Sequence, residues 1–209
     1  MRKKILLILP LLLFAITQQL QAVTCNWGYC NSVVNDQFGS VNKGKGAIYI
    51  PAEISKMYDG KQLSYVRVGL AAKAKTVKVF VTKDLNGEYI ATRTQRDQLS
   101  GFNEIKFAEP WTIDGEGFYI GYEFESDDYA LGSSTMYNEN GCWADLGDGW
   151  KNYAVEDHAL ALSIQAKISG DDLPKDYWLF CSNDILAEAG KPFNINFSIR
   201  NMGTAIGRR

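Results

Sequence analysis

Ser64-Tyr65-Val66-Arg67-Val68-Gly69-Leu70, Thr76-Val77-Lys78-Val79-Phe80-Val81-Thr82, Phe102-Asn103-Glu104-Ile105-Lys106-Phe107 and Phe118-Tyr119-Ile120-Gly121-Tyr122-Glu123-Phe124 follow one another within residues 64–124, with turn residues between them. Each run alternates, which is the period of a strand with one buried and one wetter face. In the first, Val66, Val68 and Leu70 share one face and Tyr65 and Arg67 the other. The second sets Val77, Val79 and Val81 against Lys78, Phe80 and Thr82, and in the last Phe118, Ile120, Tyr122 and Phe124 point inward. Four such runs in succession predict an all-β sandwich, and nothing inside them resembles a catalytic centre.

Working outward, Asp84-Leu85-Asn86-Gly87 carries the Asn-Gly signal of a tight reversal and predicts a hairpin returning through residues 89–95. Ile113-Asp114-Gly115 is a second turn. Upstream, Ala47-Ile48-Tyr49-Ile50 reads as a strand. Residues 51–58 read as a short helix with Pro51 at its first position and Gly60 just past its end, plugging one end of the sandwich through Ile54, Met57 and Tyr58. Downstream, Leu160, Leu162, Ile164, Ala166 and Ile168 alternate with Ala159, Ala161, Ser163, Gln165 and Lys167, the pattern of one long strand late in the domain.

The chain of 209 residues, 46% hydrophobic and 12% aromatic, is long enough to bury a substantial core. Its start is basic through Lys4, then apolar over residues 5–16, then polar before Ala22, which predicts a signal peptide over residues 1–22 cleaved after Ala22. The apolar run falls short of the roughly 20 residues of a spanning helix. Thr24 ahead of Cys25 argues against a lipoprotein signal. Loss of Arg2, Lys3 and Lys4 takes the formal charge from −2 to −5, with no basic patch to steer the mature chain onto nucleic acid. All four cysteines, Cys25, Cys30, Cys142 and Cys181, lie beyond the cleavage point, where disulfides persist. Three pairings are open to them, and so is a buried unpaired thiol.

Residues 126–157 hold the aromatic and acidic side chains that a ligand would use. Trp143, Trp150 and Tyr137 are the candidate ligand-binding residues, since rings stack on sugars, and Asp145 and Asp148 are candidate oxygen ligands for calcium. The competing reading has both tryptophans covering the core and the acids solvated. No other cofactor is implied. With one histidine, His158, and no Gly-x-Ser-x-Gly, a triad hydrolase is disfavoured. Zinc lacks a Cys-x-x-Cys pair, and no His-Glu-x-x-His or phosphate-binding glycine loop is present. A carboxylate pair for glycoside hydrolysis is always available among 24 acids, so that test decides nothing.

Several ordered phrases carry a resemblance. Trp27-Gly28-Tyr29-Cys30, Gly46-Ala47-Ile48-Tyr49-Ile50-Pro51-Ala52-Glu53, Tyr58-Asp59-Gly60-Lys61-Gln62-Leu63, Val66-Arg67-Val68-Gly69-Leu70, Gly101-Phe102-Asn103-Glu104-Ile105 and Ile113-Asp114-Gly115-Glu116-Gly117-Phe118-Tyr119-Ile120-Gly121-Tyr122 resemble the jelly-roll modules of secreted Bacteroidetes surface proteins and peptidases, akin to cleaved-adhesin domains. The likeness spans residues 27–170. It implies a jelly-roll β-sandwich of eight to ten strands over residues 23–172, used as an adhesive or accessory module and carrying no catalytic residues.

Residues 173–209 hold two strand-like runs, 177–181 and 193–199, and the phrase ending Ile199-Arg200-Asn201-Met202-Gly203-Thr204-Ala205 resembles the opening of an immunoglobulin-like module. The expected function is a secreted, non-enzymatic, adhesin-like module at the cell surface that binds a glycan or a surface protein, without a membrane span in the mature chain. A non-catalytic accessory domain of a secreted peptidase is the alternative, and a small glycosidase a third reading.

Overall fold

The computed structural model describes residues 23–154, 160–174, 177–181 and 197–201. The expected signal peptide and His158 lie outside them. In chain order the strands are β1 (Val23–Trp27), β2 (Asp36–Gln37), β3 (Lys43–Ile50), β4 (Gln62–Leu70), β5 (Ala74–Thr82), β6 (Ala91–Gln98), β7 (Gly101–Thr112) and β8 (Phe118–Ser126). Then come β9 (Gly132–Ser134), β10 (Trp143–Asp145), β11 (Trp150–Asn152), β12 (Ala161–Leu162), β13 (Ile164–Gly170), β14 (Tyr177–Cys181) and β15 (Phe197–Asn201). One short helix, α1 (Ala52–Ser55), runs into a 3-10 turn at Lys56–Tyr58. The protein is all-β, as the alternating runs predict.

A four-stranded sheet, β1-β13-β4-β7, and a six-stranded sheet, β11-β10-β3-β8-β5-β6, turn their apolar faces to one core. Val66, Val68 and Leu70 of β4, with Ile164, Ala166 and Ile168 of β13, come from the first. Val77, Val79 and Val81 of β5 meet them from the second, with Ile120, Tyr122 and Phe124 of β8. All pairings are antiparallel, and β8 lies between β3 and β5, strands far from each other in sequence. Pro110 sits in β7, at a sheet edge, where the ladder with β4 slips between Leu63 and Tyr65; an edge is where a residue without an N–H is tolerated.

The Asn-Gly reversal closes as predicted: Gly87 N donates to Asp84 O at 3.0 Å and Asn86 N to Asp84 Oδ1 at 2.9 Å. The strand after it begins at Ala91 and not at Tyr89. Pro51 is the residue before the helix rather than its first position. Tyr58 is buried and Ile54 packs against the core, but Met57 is 40% exposed, because the tightening from α-helix to 3-10 turn rotates it off their stripe. The long strand expected over residues 160–168 breaks at Ser163: β12 joins a small sheet, β12-β9-β2, while β13 joins the four-stranded one. Alternation did not reveal the break because both faces are buried, Ala161, Ser163 and Gln165 being fully covered.

Cys25, Cys30 and Cys142 are buried. Cys30 Sγ–H donates to Ile164 O at 3.6 Å, and burial pushes the Cys142 thiol up to about 12. Leu173, the first residue of the expected second unit, is buried in the core just described. Beyond it β14 and β15 pair with each other in a two-stranded sheet.

Tyr122 is a fully buried phenol joining three elements. Its O–H donates to Gly69 O of β4 at 3.2 Å and accepts from Gly132 N of β9 at 3.3 Å. Tyr122→Phe keeps the ring and strands both backbone groups, so it is expected to cost about 1–2 kcal/mol. A urea titration checks this, with a lowered midpoint at unchanged slope as the expected result.

Candidate functional site

The outward faces of the two sheets differ. On the four-stranded sheet charged side chains pair across the strands: Arg67 Nε lies 3.1 Å from Glu104 Oε1, Lys167 Nζ donates to Glu104 Oε2 at 2.8 Å, and Arg67 Nη1 donates to Gln165 Oε1. Gln165 Nε2 in turn donates to Cys30 O at 3.2 Å, so the segment after β1 is tied across this face.

The outward face of the six-stranded sheet is built in rows, because the register puts the same-side residues of neighbouring strands opposite one another. One row is Asn152, Trp143, Ala47, Gly121, Phe80 and Thr92. The next is Trp150, Asp145, Lys45, Glu123, Lys78 and Thr94. The first has an aromatic residue, Trp143 or Phe80, on either side of a small middle, Ala47 and Gly121. Ala47, Phe80 and Leu85 form a second buried apolar cluster there, with Tyr89, Tyr119, Trp143 and Trp150 packed half-buried against it.

Phe80 is therefore fully covered, although alternation placed it with Lys78 and Thr82 on a wetter face, and Thr82 is buried too. Both are corrections: a further layer of rings lies outside Phe80, and the reversal after β5 folds over Thr82, whose hydroxyl lies 2.6 Å from Asp84 O and 3.1 Å from Glu88 O. Tyr89 stacks on Phe80 at 4.4 Å, Trp150 meets the same ring edge-on at 6.2 Å, and Trp143 meets Tyr119 edge-on at 5.6 Å. Tyr49 extends the layer, 4.7 Å from Tyr119.

The second row supplies charge. Glu123 lies between two ammonium groups, 3.8 Å from Lys45 Nζ and 3.6 Å from Lys78 Nζ, and it accepts the Tyr89 hydroxyl at 2.6 Å. Lys78 Nζ also sits 4.7 Å above the Tyr89 ring. Burial, and then the hydrogen bond to the Glu123 carboxylate, hold the Tyr89 phenol well above the ordinary range. About a third of each of these three charged side chains is open to solvent, so the pairs add little stability and act as positioned, shared polar groups.

Among the expected site residues, the structure brings Trp143, Trp150 and Asp145 together on β10 and β11, which extend the six-stranded sheet past β3. Neither tryptophan is in the main core and neither is a free loop ring: both are half-buried in the outer layer. Tyr137 is 45% exposed in the segment between β9 and β10 and stands outside that layer. Asp145 Oδ1 accepts Gly147 N at 2.9 Å and Gly149 N at 3.1 Å, closing the β10–β11 turn, and Asp148 pairs with Lys151. Among the described residues no group of three or more His, Cys, Asp or Glu side chains is placed to hold a metal ion. Tyr49, Tyr89, Tyr119, Lys45, Lys78 and Glu123 stand beside these candidates without having been singled out from the sequence, although Phe80 and Tyr119 carry a signal, being aromatic residues on the faces that alternation makes the wetter ones. No protein-family model matches the chain, and neither a curated protein nor a solved structure is significantly similar to it.

Proposed function

We propose that this chain is a secreted, non-enzymatic, adhesin-like binding module that holds a glycan on the outward face of its six-stranded sheet. The observation that carries the reading is the convergence of the Trp143, Trp150, Tyr89 and Tyr119 rings beside the Lys45–Glu123–Lys78 row. Aromatic rings bordered by a few convergent polar groups are the ordinary composition of a small-molecule or sugar site. Glycoside hydrolysis asks for a carboxylic acid in apolar surroundings. Glu123, flanked by two ammonium groups, stands in the opposite environment.

The jelly-roll reading is supported by strand order. With β1, β3 to β8 and β13 counted as one to eight, the four-stranded sheet runs 1-8-3-6 and the six-stranded one, from β3 to its β6 edge, 2-7-4-5, two interlocked Greek keys. Export is supported by the basic start and short apolar run of the first 22 residues. The test is retention of the protein on immobilised polysaccharides, wild type against Trp150→Ala. Retention that survives this substitution unchanged would sink the assignment of the face.

A further inference from the structure

Two hollows lie end to end along the charged row. One, of about 280 Å³, is bounded by Lys45, Asp145 and Gly147, and the other, of about 200 Å³, by Thr76, Lys78, Thr94 and Glu125; they share Lys43, Glu123 and the Phe124 backbone strand as a common wall. Together they make a groove that crosses β6, β5, β8, β3 and the end of β10. Four inter-strand spacings give it a length of about 19 Å, perpendicular to the strands. That is the shape of a site for a stretch of extended chain and not for a single compact ligand.

Its charge says which chain. Lys43, Lys45 and Lys78 are balanced by Glu123, Glu125 and Asp145, with the signs interleaved along the groove. An anionic polymer would be drawn to the lysines but would place its own charges beside three carboxylates, and a cationic one meets the reverse. A neutral sugar chain suits both: each hydroxyl donates and accepts, ammonium groups only donate, and carboxylates only accept, so adjacent hydroxyls bridge a neighbouring Lys and Glu. Tyr89 and Trp150 border the row on its aromatic side and offer apolar area to a sugar face.

We infer that the groove takes a neutral polysaccharide laid across the strands, with Glu123 accepting from, and Lys45 and Lys78 donating to, the hydroxyls of successive sugars. This rests on the outward face being the ligand face.

Affinity electrophoresis of the full chain through gels containing soluble mixed-linkage β-glucan, xylan, galactomannan or dextran, with alginate, polygalacturonate and heparin alongside, tests it. The expected result is retardation by at least one neutral polymer, changing less than about twofold between low salt and half-molar NaCl, as screening demands of a contact without net charge. Glu123→Gln and Lys78→Ala are each expected to weaken it about tenfold, the usual worth of a hydrogen bond to a charged group. Retardation only by the anionic polymers and lost in salt, retardation by none of the neutral ones, or neutral binding indifferent to both groove substitutions overturns the inference. Trp150→Ala and Tyr89→Ala separate the two claims: if both leave binding at the wild-type level, the face itself is misassigned, whereas their loss together with a preference for anionic polymers refutes only the neutral chain. Thermal melts of all four variants confirm that they remain folded.

Discussion

Gly121→Ala is expected to destabilise the protein by about 3 kcal/mol, the upper range for overpacking a site that cannot relax. A Cβ at this position would lie 2.3 Å from Gly46 O on the paired strand, 2.6 Å from Phe80 Cζ and 2.8 Å from Ala47 Cβ. The first of these is backbone, so no rotamer change relieves it; β3 and β8 would have to separate at the middle of the six-stranded sheet. Gly46 has no room to retreat, because its own inner side faces Leu131 and Leu162. The same absence of a side chain lets Phe80 and Trp150 approach each other across the sheet, so the substitution disturbs the ring layer as well. Urea unfolding measures the effect, with Thr94→Ala at the sheet margin as a reference expected to change stability by less than about 0.5 kcal/mol. An unaltered midpoint in Gly121→Ala would mean that the strands are spaced differently at this point.

Removing Trp150 is expected to abolish most ligand binding while leaving the fold in place. The ring stands on the edge strand β11, half-buried, and meets Phe80 edge-on. Losing that partial burial costs about 1 kcal/mol of stability by area. Losing an aromatic ring that packs on the ligand typically costs about 2 kcal/mol of binding, roughly a thirtyfold fall in affinity. Tyr89→Ala acts through two routes, since it removes a ring and also releases the Glu123 carboxylate from its phenol. Trp143→Ala is the less selective probe. Its indole Nε1 is buried without a hydrogen-bond partner and its ring fills the row beside Ala47, so its stability cost is expected nearer 2 kcal/mol. Comparing binding and melting for Trp150→Ala against Trp143→Ala separates a recognition ring from a supporting one.

Alternation alone located the core-facing set of β4, β5 and β8, because those positions meet the opposing sheet and the two-residue period is local to each strand. The Asn-Gly turn was legible for the same local reason. The neighbours of each strand were not: β8 pairs with β3 and β5 through contacts distant in sequence, and a period of two carries no information on which strand lies alongside. That is why Lys45, Lys78 and Glu123 could not be gathered into one row beforehand. The aromatic composition of residues 126–157 singles out Trp143 and Trp150 as candidates, and the structure places both in the outer ring layer. Their place in two three-residue strands did not follow, because such short segments among Gly and Asn carry almost no period. Phe80 shares its face with Lys78, two residues earlier, so alternation reads that face as wet although β5 is buried on both faces from Val79 onward.

The claim that the outward face of the six-stranded sheet is the ligand surface is tested most directly by following the tryptophan indole N–H signals by NMR during titration with the neutral polysaccharide that retards the protein best. The account predicts that the Trp150 signal shifts most and the Trp143 signal next, with backbone amides of Lys45, Glu123 and Lys78, while Trp27, buried in the core between the sheets, stays in place. Shifts gathered instead around Tyr137 or on the Arg67–Glu104–Lys167 face, with Trp150 unmoved, would contradict it.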